Sequence, residues 1–123
     1  MSRLWLLLAA LAGFTGVALG AFGAHGLKGQ ISPEYLAIFQ TATQYQLLHA
    51  LALLGVSLLA AQRPRRLLIG AGALFSLGIV LFCGSLYGLT LTGTRSLGMV
   101  TPVGGLCLML GWLSLALCAL KHR

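Results

Sequence analysis

The chain has 123 residues, of which 59% are hydrophobic and only 7% charged, with a formal net charge of +7. A soluble domain averages nearer a quarter charged, and so few charges cannot cover a water-soluble globule of this size. The composition therefore selects an all-α, polytopic membrane protein, a bundle of four transmembrane helices in one domain over residues 1–123. The basic excess does not read as nucleic-acid binding, because Lys and Arg sit at the ends of apolar segments, where the positive-inside rule puts them.

The first apolar run, Leu4 to Ala24, has about 21 residues, enough to cross a roughly 30 Å hydrocarbon core. Arg3 and the small residues Ala18 to Ala24 also suit a cleaved leader. The run exceeds the roughly 7–15 residues of a signal h-region, so a retained first helix over about 4–24 is expected. At about 100° per residue, Ala9, Gly13, Gly16, Gly20 and Gly23 fall within an arc of about 80°. Gly16 and Gly20 form a small-x-x-x-small pair, which permits close backbone approach in lipid. The helix is expected to be packed tightly inside the bundle. His25, Gly26 and Gly29 close it.

Ser32-Pro33-Glu34 reads as a helix start: an N-cap, a proline at the first position and an acid at the positive end of the dipole. The second helix, over about 35–61, is too long for one straight crossing, so its first two turns are expected at the interface. After the basic turn Arg63-Pro64-Arg65-Arg66, a third helix is expected over about 67–91, with Gly84 and Gly88 as its packing pair. A fourth, over about 97–120, carries Gly104 and Gly111 on a face with Cys107, Ser114 and Cys118. Pro102 falls in its first turns, where a missing N–H costs little.

Four crossings put both termini on one side, with Arg3, Arg63, Arg65, Arg66, Lys121 and Arg123. Lys28 and Arg95 lie on the other. Six basic residues against two favour a bacterial inner (plasma) membrane protein with both termini cytoplasmic.

The second helix carries the chain's main polar stretch, from Phe39 to Leu54, with Gln40, Gln44, Gln46, Thr41, Thr43, Tyr45 and His49. Polar side chains at membrane depth are costly and face protein or a hydrated cavity. Thr41, Tyr45 and His49 repeat every four residues and are read as the inward face. The orientation brings Ser85, Thr101 and His25 to the same outer half. A small polar pocket of His25, Gln44, Tyr45, His49, Ser85 and Thr101 is the expected site.

The motifs together resemble a known family. They are Gly20-Ala21-Phe22-Gly23-Ala24-His25-Gly26-Leu27, the Phe39–Leu54 stretch, Phe82-Cys83-Gly84-Ser85-Leu86-Tyr87, and Thr101-Pro102-Val103-Gly104-Gly105 followed by Gly111-Trp112. The chain is similar over nearly its whole length to the small bacterial inner-membrane family called domain of unknown function 423. The resemblance implies a four-helix integral membrane protein and brings no activity, substrate or catalytic residue. In that family's pattern the position of Cys83 is often serine.

His49 is the sharpest chemical candidate, as a proton relay or ion ligand. The competing reading, which we prefer, is a structural histidine bonded to Tyr45, Gln46 or a neighbouring helix. His25 serves more simply as a helix-terminal group and Glu34, the only acid, as a dipole partner. Cys83, Cys107 and Cys118 lack metal-ligand spacing and read as small buried residues. With no Asp, no phosphate loop and no dinucleotide fingerprint, the chain is read as a non-enzyme without cofactor or metal. Its partners are the bilayer and other membrane proteins or further copies of itself. Two functions remain: a structural or assembly component, favoured, or a transporter of protons or a small solute through the polar pocket.

Overall fold

The computed structural model describes residues 2–121. Arg123, one of the basic residues assigned to the terminal side, lies outside the described residues. Helix α1 spans Ser2–His25, α2 Pro33–Gln62, α3 Arg66–Gly78, α4 Gly84–Thr92 and α5 Thr101–Leu120. A π-helical turn, Ile79–Cys83, joins α3 to α4, and a 3-10 turn, Arg95–Met99, leads into α5. By length and composition these form four membrane-crossing segments, Ser2–His25, Pro33–Gln62, Arg66–Thr92 and Arg95–Leu120.

Local chemistry sets the ends. Ser32 accepts a hydrogen bond from the Tyr35 amide at 3.1 Å, Pro33 leads α2 and Glu34 occupies its first turn, as the sequence predicts. The amides of Gly26 and Leu27 return to the Phe22 carbonyl at 2.6 and 3.1 Å and end α1. Gly93, at φ +74°, is the left-handed residue that closes α4, with its amide 2.8 Å from the Leu89 carbonyl.

α2 is the central helix. Its buried residues Phe39, Ala42, Gln46, His49, Leu53, Val56 and Ala60 alternate steps of three and four, the seam of a coiled-coil-like helix. α1 packs along one flank of α2, and the third crossing packs between α2 and α5. In that last interface large side chains meet glycines, Phe75 against Gly111 and Leu108 against Gly78, and at Gly104 the backbone of Leu81 and Phe82 itself comes close. Close backbone approach at small residues substitutes for the hydrophobic drive that lipid removes.

Two sequence expectations change here. α1 is the least buried crossing, with 17% of its span buried against 39% for α2, so it flanks the bundle instead of lying inside it. Of the expected packing glycines, Gly16, Gly23, Gly88, Gly104 and Gly111 do sit against a neighbour, but at Gly13, Gly20 and Gly84 a Cβ would meet nothing within 4 Å. The reason is rotation: Gly16 and Gly23 differ by about 20° around α1, whereas Gly13 and Gly20 stand about 40–60° to one side. Gly84 follows the π turn, whose extra residue advances the helix phase by about 100°. Two other glycines take up packing roles, Gly72 beneath the Trp5 indole and Gly78 beneath Leu108.

Candidate functional site

Two polar residues one turn apart on the buried seam of α2, Gln46 and His49, tie the helices together. Gln46 is 4% exposed and uses its whole amide. Its Nε2 donates to the Ala12 carbonyl at 2.9 Å and to Thr15 Oγ1 at 2.7 Å, both on α1. Its Oε1 accepts from the Tyr87 hydroxyl of α4 at 2.6 Å. One side chain thus bridges α1, α2 and α4. The donors and acceptors around it fix which end of the amide is which.

His49 is the centre of an aromatic cluster. The rings of Tyr45, Phe75 and Trp112 lie 6.0, 5.6 and 5.9 Å from it, centroid to centroid, and Phe75 and Trp112 meet edge to face at 5.1 Å. Trp112 Nε1 reaches His49 Nε2 at 3.0 Å. An indole N–H can only donate, so Nε2 is the acceptor and the ring proton is on Nδ1. That proton goes to the Tyr45 carbonyl, 2.7 Å away on the preceding turn. Both imidazole nitrogens are therefore engaged, one with α5 and one with the backbone of α2.

The outer end holds a third link. Ser85 Oγ bonds Thr101 Oγ1 of α5 and also donates to the Phe82 carbonyl at 2.9 Å, inside the π turn. Cys83 is buried beside Ala42 and Leu86.

The structure does not bring the six expected site residues into one pocket. His49 and Ser85 are buried, and Thr101 is half-buried with Ser85. Tyr45 is 41% exposed, and Gln44, Thr41 and His25 are also on the outside. The stripe Thr41-Tyr45-His49 precesses by about 40° at each step of four, so only one member stays on the seam. Gln46, Trp112, Tyr87 and Thr15 belong to the observed network instead. The alternation of three and four residues through Phe39, Ala42, Gln46 and His49 is the signal that marks the seam. Among the described residues no group of three or more His, Cys, Asp or Glu side chains could hold a metal ion.

The surface opposite the Gln46 bridge has its own relief. Between α1 and α2, Leu6, Ala9, Ala10, Gly13, Ala50 and Leu54 line part of a groove of about 430 Å³, almost wholly hydrocarbon in character.

The family described as "Protein of unknown function (DUF423)" matches residues 19–105. The chain belongs to the DUF423 family. It is 44% identical to the UPF0382 membrane protein SERP0230 of Staphylococcus epidermidis, over 97% of either chain. It is 41% identical to the UPF0382 membrane protein YwdK of Bacillus subtilis over 98% of each, and 40% identical to the UPF0382 inner membrane protein YgdD of Escherichia coli over 99% of this chain and 93% of that one. No solved structure matches. This DUF423 chain is an integral membrane protein, and neither the family description nor the relatives' names carry an activity.

Proposed function

We propose that this DUF423 protein is a structural or assembly component of the bacterial inner membrane, both termini in the cytoplasm, acting without catalysis by holding other membrane helices. The observation that carries this reading is the use of the intramembrane polar groups. Thr43, Gln46, His49, Ser57, Ser85, Thr90 and Ser114, all buried, each have a hydrogen-bond partner within the bundle; among the described residues the one buried side-chain polar atom without a partner is Trp5 Nε1, near the start of α1 and away from the Gln46 and His49 network. A transporter needs polar groups that exchange partners with its cargo. Here Gln46 and His49 have theirs already committed to neighbouring helices. The groove between α1 and α2 supports the interaction side of the reading: its floor of Ala9, Ala10, Gly13 and Ala50 is low enough for close approach of another membrane helix.

The orientation rests on charge. Arg63, Arg65, Arg66 and Lys121 gather at the end that also holds Trp5 of α1, packed on Gly72 of α3. The test compares two measurements. Gently solubilised protein should co-purify with a membrane partner, and Gly13→Leu should abolish this while leaving the unfolding midpoint of the bundle unchanged. Reconstituted vesicles should pass protons no faster than empty ones. Proton flux that Gln46→Leu or His49→Ala removes would replace the assembly reading with transport.

A further inference from the structure

At the basic end, α2, α3 and α5 leave a second groove, of about 350 Å³. Its walls are Leu59 of α2, Leu68 of α3, and Leu115 and Ala119 of α5, and Arg63 and Arg65 stand at its mouth. The volume falls in the roughly 300–1,000 Å³ range of small-molecule sites, far above the roughly 30 Å³ of a water molecule. Helix α2 ends at Gln62 and α3 begins at Arg66, so the mouth lies at the membrane–water boundary and the apolar walls run into the hydrocarbon.

Arg65 is held in place. Its guanidinium donates to the Cys118 carbonyl at 2.9 Å, to Cys118 Sγ at 3.2 Å and to the Lys121 carbonyl at 2.8 Å. These bonds cap the C-terminus of α5 and fix a positive charge at the groove's rim. The whole end is positive: Arg63, Arg65, Arg66 and Lys121 collect there, while the chain's one acidic side chain, Glu34, sits in the first turn of α2, a 30-residue helix away.

We propose that this groove binds an anionic phospholipid from the adjoining leaflet, one acyl chain between Leu59, Leu68 and Leu115 and the phosphate beside Arg63 and Arg65. A soluble anion would gain the charge and waste the apolar walls; a zwitterionic lipid would use the walls without the net charge. Basic pockets between transmembrane helices suit acidic headgroups for this reason. The inference does not depend on the assembly reading.

Native mass spectrometry of the full chain in detergent tests it, with phosphatidylglycerol and phosphatidylcholine of matched acyl chains as probes. Phosphatidylglycerol should be retained preferentially. Arg63→Gln should weaken its retention about fivefold, the effect of roughly one basic residue near an anionic membrane surface. Arg95→Gln, at the opposite end, should leave it unchanged. Ala119→Trp fills the groove from an exposed position and keeps the charge; it should reduce retention of both lipids. Leu59→Trp, at a residue 48% exposed, repeats that test should the first variant fold poorly. Equal retention of the two lipids overturns the proposal. So does indifference to both groove-filling variants, which would leave only surface attraction. Displacement by an equal concentration of glycerol phosphate would also overturn it, since the chain would then be recognised by no part of the groove.

Discussion

Adding one methyl group to this protein should have opposite effects at two glycines of the same interface region, Gly104 and Gly84. At Gly104 of α5, a Cβ would lie against the Phe82 amide nitrogen, 2.7 Å from the Phe82 Cα and 2.8 Å from the Leu81 carbonyl carbon. These are backbone atoms of the π turn and cannot swing aside as a side-chain tip can. Overpacking of this kind costs about 1–3 kcal/mol, and more where nothing yields. At Gly84, one residue past that turn, a Cβ would meet nothing within 4 Å. There the replacement of Gly by Ala in a helix stabilises by about 0.5–1 kcal/mol, through the entropy glycine loses on ordering. The two variants should therefore differ by roughly 1.5–4 kcal/mol, Gly104→Ala below the parent and Gly84→Ala at or above it. Unfolding in mixed micelles, followed by circular dichroism as the share of denaturing detergent rises, gives both values. Gly104→Ala as stable as Gly84→Ala would refute the close approach of α5 to the π turn.

Gln46→Leu removes the bridge to Ala12, Thr15 and Tyr87; at about 0.6 kcal/mol for each interhelical bond it should cost about 2 kcal/mol in the same assay. An unchanged midpoint would mean that α1 does not depend on that bridge. His49→Leu deprives the Trp112 indole of its acceptor, so in a Trp5→Phe background the tryptophan emission should shift to shorter wavelength, and an unshifted spectrum would argue against the bond. A reporter active only in the periplasm should be active when inserted after Gly29 or Arg95 and silent when fused after Arg123; the reverse pattern would invert the orientation.

Composition and segment length settle the class of this protein, because nine charged residues in 123 leave a bilayer as the only solvent that fits, and four apolar runs fix the number of crossings. The helix start at Ser32-Pro33-Glu34 is equally local: the cap, the proline and the acid act within one turn, and the structure forms it as read. The inward faces are another matter. In a soluble helix the polar side marks the outside, but in lipid the outer face is as apolar as the packed one, so the sequence leaves little periodic signal to read. Thr41, Tyr45 and His49 made a plausible stripe by spacing alone. Only the packing of α2 between α1 and the third crossing selected the seam through Phe39, Ala42, Gln46 and His49, turned Thr41 outward and left Tyr45 at the exposed edge of the aromatic cluster, against His49 and Phe82. The same holds for glycine. Gly16 and Gly20 look alike in the sequence, yet the neighbour that gives one of them a packing role, Leu47, is 31 residues from Gly16 along the chain and meets it only once the α1–α2 hairpin has closed. The π turn, the contact of Trp5 with Gly72 and the groove beside Arg65 likewise belong to the tertiary structure, since each depends on the angle at which two distant segments meet.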